Sequence, residues 1–161
     1  MDLLKLIALD RDDIEVVSAH LQDAIVKVGD VHWRPREQRM VLGVNRFDWE
    51  SALTNDPIYR RRLAALRFER VLSCQVRNID PRNKDAVLNL LAIDFAPVDG
   101  ASGTATLLFS GGGAIRLELE CLESELADLG PTWTCARCPE HALEGPSPST
   151  PGVDAATPPR H

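Results

Sequence analysis

Residues 104–130, TATLLFSGGGAIRLELECLESELADLG, decide how the chain is read. Thr104 to Phe109 is an apolar run with threonines, the composition of a strand. Gly111, Gly112 and Gly113 carry no side chain to pack and tolerate positive φ, so they form a tight connection. From Ala114 the pattern alternates, with Ile115, Leu117 and Leu119 on one side and Arg116, Glu118 and Glu120 on the other. Beyond Cys121 the leucines Leu122, Leu126 and Leu129 are spaced four and three apart, and Gly130-Pro131 has the form of a helix stop. The unit therefore reads as strand, glycine turn, strand, helix. Leu117, Leu119, Leu122 and Leu126 are expected to be buried, and Arg116, Glu118 and Glu125 exposed.

Working outward, Leu3 to Leu9 is a short strand. Asp10 or Asp12 caps an amphipathic helix over 12–25, whose apolar face is Ile14, Val17, Leu21, Ala24 and Ile25. Val26 to Trp33 and Arg39 to Phe47 flank the polar turn 34–38 and read as a hairpin. Residues 48–60 have no period and read as a long loop. Leu63 to Ile79 alternates, with Leu66, Phe68, Leu72, Cys74 and Val76 on one parity and a break at Arg70. Ala86 to Pro97 is a further strand. The fold class expected is α+β: a bent antiparallel sheet or partial barrel, loosely pleckstrin-homology-like in element order, with an N-terminal amphipathic helix and a closing C-terminal helix.

The chain has 161 residues and 11 prolines, six of them between Pro139 and Pro159. Residues 1–134 read as one globular domain and 135–161 as a Pro-rich, disordered tail. No apolar run approaches the roughly 20 residues of a membrane span. The N-terminus lacks the charge order of a signal peptide, so a cytoplasmic protein is expected. The formal charge of −6 argues against a general nucleic-acid binder.

Three segments, HLQDAIVKVGD (His20 to Asp30), NRFDWE (Asn45 to Glu50) and FSGGGAIRLELECLESELADLGP (Phe109 to Pro131), resemble, in this order, the DUF2948 family of small bacterial proteins. The likeness covers about residues 3–133. It implies a soluble one-domain bacterial protein with no assigned activity and no catalytic residues to carry over. The tail after Trp133 lies outside the resemblance.

Candidate sites are few. Arg46, Asp48 and Trp49 bring ionisable and aromatic groups to a strand end, and Arg60, Arg61 and Arg62 follow the loop. Arg46 could pair with Asp48 or Glu50 to fix the loop, or the same residues could line a small pocket with Trp33 or Tyr59 nearby. Arg60, Arg61 and Arg62, with Arg67, Arg70 and Arg77 following, read as an anion-binding face or as a solvated face paired with carboxylates. Cys135, Cys138 and His141 have metal-like spacing, but three ligands in a Pro-rich tail are weighed as a chance pairing. The three glycines lead into a strand with no lysine nearby, unlike a phosphate loop. His20 and His32 have no nucleophile in a recognisable motif beside them.

No cofactor is expected. The leading reading is a non-enzymatic cytoplasmic binding or adaptor module for an unknown protein, with no membrane and no nucleic acid as partner. The alternative is an enzyme or enzyme accessory domain that holds a small anionic substrate in an Arg-rich pocket. Because the tail has little apolar surface to offset the entropy of ordering it, a chain ending at Thr134 is expected to melt cooperatively at nearly the full-length temperature. A large drop measured by calorimetry would show that the tail packs on the domain.

Overall fold

The computed structural model describes residues 3–49 and 60–134. In order these form β1 (Lys5–Ala8), α1 (Arg11–His20), β2 (Ala24–Lys27), β3 (Val31–Arg34), β4 (Arg39–Phe47), β5 (Arg60–Phe68), β6 (Val71–Arg77), β7 (Val87–Asp99), β8 (Ser102–Phe109), β9 (Ala114–Leu119) and β10 (Ser124–Thr134). All ten strands belong to one sheet, with neighbours in the order β1-β10-β5-β4-β2-β7-β8-β9-β6 and β3 added beside β4. Every pairing is antiparallel.

The α+β reading is corrected. Only one α-helix occurs among the described residues, and the closing helix expected after Cys121 is instead β10, paired with β5 and β1. The leucine spacing misleads because the true period is two: Leu122, Ser124, Leu126 and Asp128 are buried while Leu129 is 53% exposed. The polar members of that inward row are satisfied inside the protein. Ser124 Oγ donates to the Arg67 carbonyl at 2.8 Å, and Asp128 holds an arginine. Leu122 and Leu126 are buried in either reading, as are Leu117 and Leu119. The pleckstrin-like plug by a C-terminal helix falls with the helix itself.

The N-terminal helix exists but is shorter than its apolar pattern. Asp10 caps it by accepting from the Asp13 N–H at 2.8 Å. It ends at His20, because Asp23 takes a left-handed φ of 64° and turns Ala24 into β2. Ile14, Val17 and Leu21 enter the core, and Ser18 Oγ accepts from the Ile93 N–H of β7 at 2.9 Å. The break at Arg70 is real: its φ is 57°, and a register irregularity follows between Val71 and Ser73. Leu72 is left 55% exposed, outside the buried row it was expected to join. The loop expected over 48–60 falls mostly outside the described residues, and the tail 135–161 wholly so.

The glycine turn after β8 behaves as its composition requires, with φ of 77° at Gly111 and 84° at Gly112. A second glycine matters for space. A Cβ at Gly103 would meet the Ala96 carbonyl oxygen of β7 and stand 2.9 Å from the Phe95 ring. Both are in the packed β7–β8 pair, where backbone cannot yield cheaply. Gly103→Ala is expected to lower unfolding free energy by about 1–3 kcal/mol, measured by urea denaturation. An unchanged midpoint would show that the two strands can separate there.

Candidate functional site

Register determines the charged cluster. β4 and β5 pair so that Arg46 lies opposite Arg62, and β10 continues the row. Residues directly opposite on antiparallel strands share a face, and here the face is the inner one: Met40, Leu42 and Val44 lead to Arg46, and Phe68, Leu66 and Ala64 lead to Arg62, all buried. Two neighbouring guanidiniums in a core need separate counter-charges. Arg46 is 1% exposed and forms a two-pronged pair with Asp128, Nε to Oδ1 at 2.9 Å and Nη2 to Oδ2 at 3.0 Å. Arg62 Nε donates to Asp48 Oδ2 at 2.8 Å. Asp128 Oδ2 also accepts from the Leu4 N–H at 2.8 Å, fastening the entry of β1.

The remaining predicted residues surround these pairs. The Asp48 N–H donates to the Arg60 carbonyl at 2.8 Å. Arg61, on the opposite face, donates to the carbonyl and side-chain oxygens of Asn45 at 3.2 and 3.4 Å. Trp49 packs edge-on against Phe47 with ring centroids 4.7 Å apart, and its indole N–H donates to the Gln22 carbonyl at 3.4 Å. The sequence leaves open whether Arg46, Asp48 and Trp49 converge with Arg60 to Arg62. The structure brings them to one strand end, and Arg46 pairs with Asp128, while Asp48 accepts from Arg62. Sequence reasoning missed Asp128, which it had placed on a helix. An anion entering beside Arg46 or Arg62 would have to displace a buried carboxylate.

His32 is not part of this cluster. It is exposed opposite Val41, five positions along β4 from Arg46, about 17 Å at the rise of a strand. His20 Nδ1 sits 3.1 Å from the Val16 carbonyl oxygen. The arginines along β5 and into β6 are largely matched: Arg67 with Glu69 and Glu125, Arg70 with Glu123. Among the described residues no group of three or more His, Cys, Asp or Glu could hold a metal ion. Cys135, Cys138 and His141 lie outside the described residues. No described helix is long and apolar enough to cross a membrane.

A second feature has no signal in sequence. β6 pairs with β9 and β3 with β4, and among the described residues neither has a strand on its other edge. The Val71 N–H reaches the Gln38 carbonyl at 2.8 Å, joining the start of β6 to the β3–β4 turn. The Gly29 N–H reaches the Lys84 carbonyl at 2.9 Å, joining the approach to β3 to the β6–β7 connection. These two ties flank the unpaired edges of β3 and β6. Register places Trp33 opposite Met40, Val31 opposite Leu42, Cys74 opposite Leu117, Val76 opposite Ile115 and Leu88 opposite Val26. Each of these five partners is buried, so all five residues face the core side. Yet Val31, Trp33, Cys74 and Leu88 are only half-buried, and Val76 is 48% exposed. Burial pushes the Cys74 thiol above its ordinary value, so at neutral pH it is protonated and behaves as an apolar wall.

A family model for proteins of unknown function, DUF2948, matches residues 4–141. The chain belongs to the DUF2948 family. No curated protein and no solved structure matches it. The DUF2948 match runs past Trp133 and takes in Cys135, Cys138 and His141, which the sequence reading had set outside the resemblance.

Removing one partner of a buried pair strands the other charge, so Asp128→Ala is expected to cost about 3–5 kcal/mol in urea unfolding. Combining Arg46→Met with Asp128→Leu should cost less than the two single changes added together. Additive costs would mean that the two groups do not depend on each other.

Proposed function

We propose that this protein is a non-enzymatic binding module whose binding element is the opening between β3 and β6. One observation carries the reading: Val31 and Trp33 of β3 and Cys74 and Val76 of β6 face the core side yet are only partly buried, on strands whose other edges lack neighbours among the described residues. Unpaired edges offer N–H and C=O groups to an added strand, and proteins usually cover or blunt them. The corresponding gap between β1 and β7 is filled by α1, so the uncovered one stands out. Among the described residues Cys74 and Cys121 are free thiols, which suits a reducing cytoplasm, and the family resemblance supports a bacterial setting. The alternative anion pocket has weaker support, since Arg46 and Arg62 already hold carboxylates.

Selection of a random peptide library on the immobilised protein tests the reading. Retained peptides should carry apolar residues at alternate positions and slow amide exchange over Leu72 to Arg77. They should also lose at least tenfold in affinity for Val76→Asp, whose melting temperature should change little because Val76 is half in solvent. Peptides indifferent to Val76→Asp, with no protection of β6, would remove the reading.

A further inference from the structure

We infer that the occupant of the opening is an extended acidic segment of a partner protein, added as a strand along Ser73 to Arg77. Its apolar side chains turn into the opening and its carboxylates turn to the rim. The inference rests on the reading of the opening as the binding element and supplies the chemistry of what enters it.

Charge carries the argument. The chain's formal charge is −6, but the elements bordering the opening bear cations. Arg34 and Arg36 lie at the β3–β4 turn, Arg77 at the end of β6, Lys84 in the connection held against Gly29, and Lys27 just before that contact. All five are exposed. Several other arginines are matched by carboxylates, namely Arg39, Arg46, Arg62, Arg67, Arg70 and Arg116, while Arg61 bonds to Asn45. Lys27, Arg36, Arg77 and Lys84 make no ion pair among the described residues, and Arg34 reaches Glu37 only at 3.9 Å. The nearby carboxylates do not cancel the set. Glu37 also meets Arg39 at 3.3 Å and Asp80 meets Arg82 at 3.2 Å. Asp30 lies over Gly43, on the face of β4 turned away from the core. Asp30 and Asp85 are exposed near the rim cations and make no ion pair among the described residues, and Asp30 shares the outer face with Arg34 and Arg77, so two carboxylates stand against the five cations.

The shape of the edge favours a strand over other anions. Alternate N–H and C=O groups of β6 are taken by β9, and the others point outward for a partner backbone. The irregularity at Leu72 limits regular addition to Ser73–Arg77, about 17 Å of strand. A strand partner sends alternate side chains to opposite faces, which suits an apolar wall on one side and cations around it. Phosphates of a nucleic acid would meet the cations but leave Val76, Val31 and Leu88 without apolar contact.

The test uses the full-length protein and three end-capped nine-residue peptides with valine at alternate positions. Glutamate, lysine or threonine fills the positions between. By fluorescence anisotropy at low salt the glutamate peptide should bind at least tenfold more tightly than the lysine peptide. The difference should shrink as salt is raised, and the bound peptide should slow amide exchange at Ser73 to Arg77. Arg77→Gln combined with Lys84→Gln should cut the glutamate preference severalfold while leaving the melting temperature and threonine-peptide affinity unchanged. Equal binding of all three peptides, with protection of β6, would overturn the acidic occupant and leave the opening as the binding element. No binding and no protection by any peptide would overturn both. Tighter binding to polyuridylate or to phosphatidylglycerol vesicles than to the glutamate peptide, lost in the double variant, would replace the peptide with a nucleic acid or a membrane.

Discussion

A guanidinium taken out of water must bring a counter-charge with it, and the pair of Arg46 with Asp128 is where this protein meets that demand. The two residues are 82 positions apart in sequence and two strands apart in the sheet. Forming the pair requires β4, β5 and β10 to lie in the correct register. A shift of one residue would turn one of the charges to the other face. Asp128 extends the linkage to the N-terminus through the Leu4 N–H. Four strands are thus held to one alignment by a single carboxylate, and Arg62 with Asp48 repeats the arrangement one strand over. The network stabilises little by itself, since its Coulomb energy mostly offsets desolvation. What it contributes is the cost of every other alignment.

With that end of the barrel-like wall fixed, the rest of the structure is an account of strand edges. A sheet ending in two free strands must protect them or use them. On the side of β1 the solution is α1, whose Ile14, Val17 and Leu21 complete the core and whose Ser18 satisfies a β7 amide. On the side of β6 there is no such cover among the described residues. The side chains facing inward there are apolar and only partly buried, and Lys27, Arg36, Arg77 and Lys84 nearby make no ion pair among the described residues. Of the arginines after the loop, Arg62 holds Asp48 inside the protein. The residues with most to offer a partner, Trp33 and Val76, carry no motif.

Several features were legible because they are local. The glycine turn, the alternation of β9 and the break at Arg70 each follow from neighbouring residues, since φ restrictions and a period of two act over a few positions. The strand expected over Val26 to Trp33 instead divides at a 3-10 turn over Val28–Asp30, and β3 returns along β4. Whether Arg46 and Asp48 meet the arginines at 60–62 was left open by the sequence, and the pairing of β4 with β5 decides it. The partner of Arg46 was not legible, because it comes from a strand whose inward row includes Ser124 and Asp128. A pattern written in leucines alone turns that row into a helix.

The sequence by itself determined the glycine turn, the alternation of β9, the break at Arg70 and the burial of Leu66, Phe68, Leu117, Leu119, Leu122 and Leu126. Only the tertiary structure decided that residues 124–134 are extended, that two arginines are neutralised inside the core, and that β3 and β6 are left with open edges. The physical reason is the range of the interactions. Backbone preference and periodicity are set within a turn or a strand. The cost of an unpaired buried charge and the fate of a strand edge depend on which distant segment is brought alongside.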